Sequence, residues 1–171
     1  AREAKFLETP RARIALISAA STFTPSSRAG NTRGDMPARP GLSPLRFTTT
    51  YVVTPDRLAD LKRVAAELSG QPPTTGDTLN FGGRRYVAGA TPGQRTEPNQ
   101  EDLDEIGRVV RSAAALADIV IVSLHCHEGG VNRSVPADFI PVFARAMVDA
   151  GADVFVGHGP HVLRGVEIYK G

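Results

Sequence analysis

Apolar residues in this chain fall into short unbroken runs that alternate with stripes at helical spacing, the pattern of an α/β domain. Residues 13–20 (Arg-Ile-Ala-Leu-Ile-Ser-Ala-Ala) predict a buried strand after a Pro-containing lead-in. Residues 47–53 are β-prone, and Thr54-Pro55-Asp56 then starts a helix. Thr caps it, and Pro suits the first helical position because the N–H it lacks would have no intrahelical partner there. Leu58, Leu61, Val64 and Leu68 follow on one face before Gly70 stops the helix. Residues 79–81 and 84–87 around Gly82-Gly83 predict a hairpin, and residues 88–98 a polar connection bearing Pro and Gly.

Asn99 caps a longer helix with Glu101 and Asp102 in its first turn, where the helix dipole favours acids. Its inward stripe is Leu103, Ile106, Val110, Ala113 and Ala117. Residues 119–124 (Ile-Val-Ile-Val-Ser-Leu) are almost wholly apolar, which predicts a central parallel strand covered on both faces. Pro136 opens the next helix, with Phe139, Phe143 and Met147 facing inward, and Gly151 ends it. Residues 154–156 give the following strand and residues 166–169 one more. The β-helix-β unit over residues 119–156 is expected to be right-handed, with its two strands parallel in one sheet.

Residues 21–46 break this rhythm. Pro25, Pro37, Pro40, Pro44, Gly30, Gly34 and Gly41 exclude regular structure. This long loop carries Arg28, Arg33, Arg39 and Arg46 against the single acid Asp35. It is either a solvated, mobile connection or a lid offering guanidinium groups to an anionic substrate.

The 171 residues suit a single α/β domain over residues 1–171, with that loop as its main irregularity. Net charge is only +2, without the basic block of a nucleic-acid binder, and no apolar run is long enough to span a membrane. The start, Ala1-Arg2-Glu3-Ala4-Lys5-Phe6, has no initiator Met and no signal-peptide core, so the chain reads as an internal piece of something longer. One cysteine, Cys126, excludes an internal disulfide and the paired spacing of a zinc finger. There is no Gly-rich phosphate loop and no Gly-x-Ser-x-Gly elbow.

All four histidines lie in the last third of the chain, as Ser123-Leu124-His125-Cys126-His127-Glu128 and Gly157-His158-Gly159-Pro160-His161. Each group directly follows a predicted strand. If those strands are parallel neighbours, both groups emerge at the carboxyl edge of one sheet, where open α/β sheets bind ligands. A lone histidine is more often a hydrogen-bonded structural residue, but two such clusters read as a divalent-metal site. An extended backbone sends His125 and His127 to one side and the Cys126 thiol to the other, where it reads as a small buried residue. Glu128 can be a ligand, an orienting group or a general base. Imidazole and carboxylate donors suit Zn, Mn or Fe.

These residues carry a resemblance. Residues 119–125, with Asp149-Ala150-Gly151-Ala152-Asp153-Val154-Phe155-Val156-Gly157-His158-Gly159-Pro160-His161-Val162-Leu163-Arg164-Gly165-Val166-Glu167, look like the C-terminal half of the bacterial capsule-synthesis CapA family. That family is associated with poly-γ-glutamate synthesis and is similar to calcineurin-like metallophosphoesterases. The resemblance is specific over residues 118–171. It implies a metallophosphoesterase-like sandwich of sheets flanked by helices, with two metal ions at strand ends. It also implies that His125 is a metal ligand after a late strand, and that His158 and His161 are the ligand pair of a Gly-His-x-Pro-His motif. The chain departs from the family pattern by placing His127 where a Gly is usual and by lacking its early Gly-Asp, Glu and Asn-His motifs. It therefore looks like part of a domain whose other ligands lie outside these residues. The implied function is a metal-dependent hydrolase acting on an anionic small molecule or polymer, with His127 or Glu128 moving a proton and the arginine loop binding negative charge. The alternative is a non-catalytic metal- or polymer-binding component of capsule synthesis or export.

Overall fold

The computed structural model describes residues 2–30, 32 and 34–171. In chain order it contains β1 (Lys5–Glu8), β2 (Arg13–Ala20), a short 3-10 turn (Pro25–Ser27), β3 (Phe47–Val53) and α1 (Pro55–Ser69). Then come β4 (Thr78–Phe81), β5 (Arg84–Ala88), β6 (Gly93–Pro98), α2 (Gln100–Ala114), β7 (Ile119–His125), α3 (Phe139–Asp149) and β8 (Val154–His158). The fold is α/β, with two mixed four-stranded sheets flanked by helices. Contacts divide the chain into two compact units, Ala1–Phe47 with Pro98–Gly171, and Thr48–Glu97.

The first unit is built on a sheet of order β1-β2-β7-β8. β1 is antiparallel to β2, while β2, β7 and β8 are mutually parallel. Moving from β2 to β7 to β8 steps always in one direction across the sheet, so right-handed crossovers place α2 and α3 on the same face. Ala15, Ile17 and Ala19 of β2 and Val120, Val122 and Leu124 of β7 therefore bury against Ile106, Val110 and Ala113 of α2 and Phe139, Phe143 and Met147 of α3. Phe47 stacks on Phe139 at 4.3 Å between ring centroids.

One expectation fails here: β7 is not covered on both faces. Residues 120, 122 and 124 are buried, but Ile119 and its same-face neighbours Leu16, Val154 and Val156 stay exposed, because both helices lie on the other side. The expected strand at residues 166–169 does not form either. That segment has no strand partner among the described residues, and Val166 and Ile168 are exposed. α3 begins at Phe139, not at Pro136.

The helix starts follow the sequence. Asn99 Oδ1 accepts the Asp102 N–H, and Thr54 and Pro55 sit at the cap and first position of α1, where the Thr54 side chain makes no cap hydrogen bond; Gly70 ends the helix at φ +67°. Asp102 is wholly buried, and its carboxylate takes the Arg46 backbone N–H and guanidinium as well as the Arg2 guanidinium. This ties the end of the 21–46 loop to the first turn of α2. The loop also doubles back on itself, with Ala29 N–H donating to Leu42 O and Gly30 N–H to Arg39 O.

The second unit is a sheet of order β4-β5-β3-β6 with α1 against β4 and β5. The hairpin around Gly82-Gly83 forms as expected, antiparallel. Residues 93–98, expected to be part of a connection, instead make the edge strand β6. Their polar side chains and flanking Gly and Pro hide the strand signal, which is tolerable only at an edge.

Candidate functional site

The in-register pairing of β7 with β8 sets His125 directly opposite His158 at the carboxyl edge of the first unit's sheet. Ala20, the last residue of β2, pairs with His125 from the other side. Parallel neighbours in register point the same way at equal heights, so the two imidazoles meet: His125 Nδ1 lies 3.2 Å from His158 Nδ1. The second ring nitrogen of His125 lies 3.0 Å from His127 Nε2, and His158 Nε2 lies 3.1 Å from Ser123 Oγ. His161 joins at the far end, its ring centroid 5.2 Å from that of His127. The four imidazoles thus form a chain in the order His158, His125, His127, His161, on the sheet face that the helices leave open.

The turn after β8 makes this approach possible. Gly159 sits at φ +112°, and a Cβ there would lie 2.9 Å from the Cys126 carbonyl oxygen and 3.2 Å from His125 Cε1. Only glycine fits, for reasons of both conformation and space. His161, two residues on, takes the left-handed conformation at φ +58°, uncommon for a side chain of its size.

Glu128 is placed by residues outside the two histidine motifs. Its two carboxylate oxygens accept from Ser21 Oγ at 2.7 Å and Thr22 Oγ1 at 2.9 Å, and its carbonyl accepts from the Arg164 guanidinium at 2.8 Å. Thr22 Oγ1 also accepts the His127 N–H. Ser21, Thr22, Ser123 and Arg164 are functional neighbours that no local motif marks out as such. Their one linear signal is that Ser21 and Thr22 follow β2 as His125 ends β7, at the same sheet edge. Cys126 is buried on the opposite side from the imidazoles, and burial together with the Glu128 charge pushes its thiol up to about 11. Its side chain packs in the core among apolar neighbours, as a small buried residue.

Two of the loop arginines have partners of their own. Arg46 is held by Asp102 and Glu101, and these hydrogen bonds raise its pKa further. Arg39 donates to the Arg28 carbonyl oxygen. Among the described residues, no hydrogen bond or ion pair joins Arg28, Arg39 or Arg46 to the histidines; Arg33 lies outside the described residues.

Two imidazole nitrogens on one cation stand roughly 3 Å apart when each bond is about 2.0–2.1 Å, so the His125–His158 and His125–His127 pairs have the donor type and separation a divalent ion needs. No group of three or more His, Cys, Asp or Glu side chains converges to hold an ion among the described residues. The same contacts also suit a relay of hydrogen bonds, each ring donating one proton and accepting one. The two arrangements exclude each other at any one nitrogen, because a lone pair given to a cation is no longer free to accept a proton.

A family model described as "Bacterial capsule synthesis protein PGA_cap" matches residues 1–171. Protein y4sH of Sinorhizobium fredii is 44% identical over 172 residues, covering 99% of this chain and 37% of that protein. The capsule biosynthesis protein CapA of Bacillus anthracis is 38% identical over 90 residues, 50% of this chain and 21% of that protein. A probable polyglutamine synthesis accessory protein of Mycobacterium tuberculosis is 30% identical over 127 residues, 74% of this chain and 31% of that protein. The chain thus spans well under half the length of each of these relatives.

Proposed function

Since this chain belongs to the bacterial capsule synthesis PGA_cap family, we propose that its histidine edge is one side of a metal-dependent hydrolytic centre acting on an anionic substrate of capsule poly-glutamate metabolism. The observation that carries the reading is the His125–His158 pair, two ring nitrogens 3.2 Å apart on in-register parallel strands. His125 and His158 would hold a Zn, Mn or Fe ion, with His161 completing the family's histidine motif and a second ion expected in the intact protein. When bound, a divalent cation supplies Lewis acidity toward a phosphoryl or carbonyl oxygen and increases the acidity of water.

The chain's own residues do the rest. Ser123 fixes the His158 ring through Nε2, which leaves Nδ1 turned toward His125. His127 is exposed, with Nδ1 free of the His125 contact, and is the group placed to hold or move a proton. Glu128 keeps its carboxylate against the Ser21 and Thr22 hydroxyls and orients the loop that presents His127. The test is hydrolysis of phosphoester and γ-glutamyl substrates by metal-supplemented full-length protein. His158→Ala should abolish turnover, and undiminished turnover in that variant would sink the assignment.

A second reading, a metal- or polymer-binding component without turnover, is favoured by the way the Ser21 and Thr22 hydroxyls hold one Glu128 oxygen each, which gives this carboxylate an orienting part in the loop. The two readings differ in coordination. A catalytic site keeps an exchangeable water position, whereas a structural one is closed by protein ligands.

A further inference from the structure

The second unit carries a groove that the histidine edge does not use. It has a volume of about 700 Å³ and is lined by Thr48, Thr50, Asn80, Arg84, Arg85 and Glu97, among others. The pairing explains the grouping. Thr50 of β3 and Asn80 of β4 are each in register with Arg85 of β5, so the three stand in a row across adjacent strands on one sheet face. Neighbouring strands lie about 4.8 Å apart, so the row spans roughly 10 Å. Thr48 lies two residues from Thr50 and shares its face.

The row offers a guanidinium, an amide and hydroxyls. Arg84, one residue before Arg85, points to the opposite face, its guanidinium donating to Tyr51 OH at 2.8 Å and lying over the Tyr51 ring. Arg85 makes no ion pair among the described residues, and Glu97 is the one acid in the lining. One guanidinium with neutral donors on either side of it along an open groove suits an extended ligand bearing carboxylates better than a compact phosphate. A compact phosphate is typically gripped by converging backbone N–H groups, and the chain has no Gly-rich phosphate loop.

We propose that this groove binds a polycarboxylate chain, with Arg85 as its principal anchor and Thr50 and Asn80 as neutral donors to successive carboxylates. The choice of polycarboxylate rests on the reading of an anionic capsule polymer as substrate; the groove itself is independent of the histidines.

The test is fluorescence anisotropy of an end-labelled γ-glutamate oligomer with the full chain, alongside amide NMR shift mapping. Saturable binding is expected, with the largest shifts at Thr50, Asn80 and Arg85. Arg85→Ala should weaken binding about tenfold, the loss of a charge-assisted hydrogen bond, and Arg85→Lys should weaken it less because charge is retained. An unchanged circular dichroism spectrum shows that Arg85→Ala is folded. Equal affinity in folded Arg85→Ala, absence of saturable binding, or tighter binding of inorganic polyphosphate than of the oligomer would overturn the proposal. Shifts confined to Ser123, His125 and His158 would overturn it too, while leaving the substrate reading of the histidine edge intact. Conversely, failure of hydrolysis with Arg85-dependent binding preserved would sink the catalytic reading alone.

Discussion

Replacing Asp102 by alanine removes the carboxylate that joins the end of the 21–46 loop to α2. The side chain is wholly buried and accepts from the Arg46 N–H at 2.7 Å, Arg46 Nε at 2.8 Å, Arg46 Nη2 at 2.8 Å and the Arg2 guanidinium. Losing one partner of a buried, hydrogen-bonded pair costs about 3–5 kcal/mol. The Arg2 and Arg46 side chains are 14% and 37% exposed and rehydrate in part, which points to the lower end, about 3 kcal/mol. For a chain of this size that is a drop of about 6–12 °C in Tm. Asp102→Asn keeps an acceptor but no charge and should lose about half as much.

The pH dependence has a defined sign. Burial pushes the Asp102 carboxyl up, but the hydrogen bonds from Arg46 and the charges of Arg2 and Arg46 outweigh burial and hold it below its usual value. A depressed carboxylate contributes stability above its unfolded pKa of about 3.9, and that stability fades as pH falls through the lower folded value. Urea unfolding followed by far-UV circular dichroism between neutral pH and pH 3 measures both effects. Asp102→Ala within about 0.5 kcal/mol of the parent, the range of ordinary surface substitutions, would refute the reasoning.

Gly159→Ala should destabilise the fold by about 1–3 kcal/mol and displace the His125 ring, because it combines a left-handed φ with a close carbonyl contact; denaturation and histidine NMR shifts report the two effects separately. Cys126 should resist alkylation in the native state at pH 8 and react only on unfolding, since it is buried and that burial pushes its thiol up to about 11. The same raised value makes the Cys126 contribution to stability fully present below the ordinary thiol pKa and lost as pH climbs toward 11; Cys126→Ala should flatten that alkaline decline.

How much of this could be read in the sequence differs from element to element. The helix starts at Thr54 and Asn99 are legible because such signals are local, a matter of three or four residues, though only the Asn99 side chain makes its cap hydrogen bond. The parallel pairing of residues 119–125 with 154–158 is legible because crossover handedness leaves little choice, and it brings His125 to His158. The sequence also suggests strand β7 is covered twice, since an apolar run does not reveal which face a helix takes; that depends on strand order across the sheet. β6 stays hidden behind Gly93, Pro98 and polar side chains, and residues 166–169 look like a strand by composition while having no partner. Arg46 reads as a substrate cation, yet its partner Asp102 stands 56 positions away, and the hydroxyls of Ser21 and Thr22 reach Glu128 across more than a hundred residues. Contacts of that range depend on the assembled sheet.

The central claim is that nitrogens of His125 and His158 bind one cation together. Zinc-edge X-ray absorption on zinc-loaded full-length protein counts the imidazoles in the metal shell. At least two are expected in the parent protein, with the count falling by one and metal stoichiometry dropping in both His125→Ala and His158→Ala. An imidazole count and stoichiometry left unchanged by both substitutions would contradict the account.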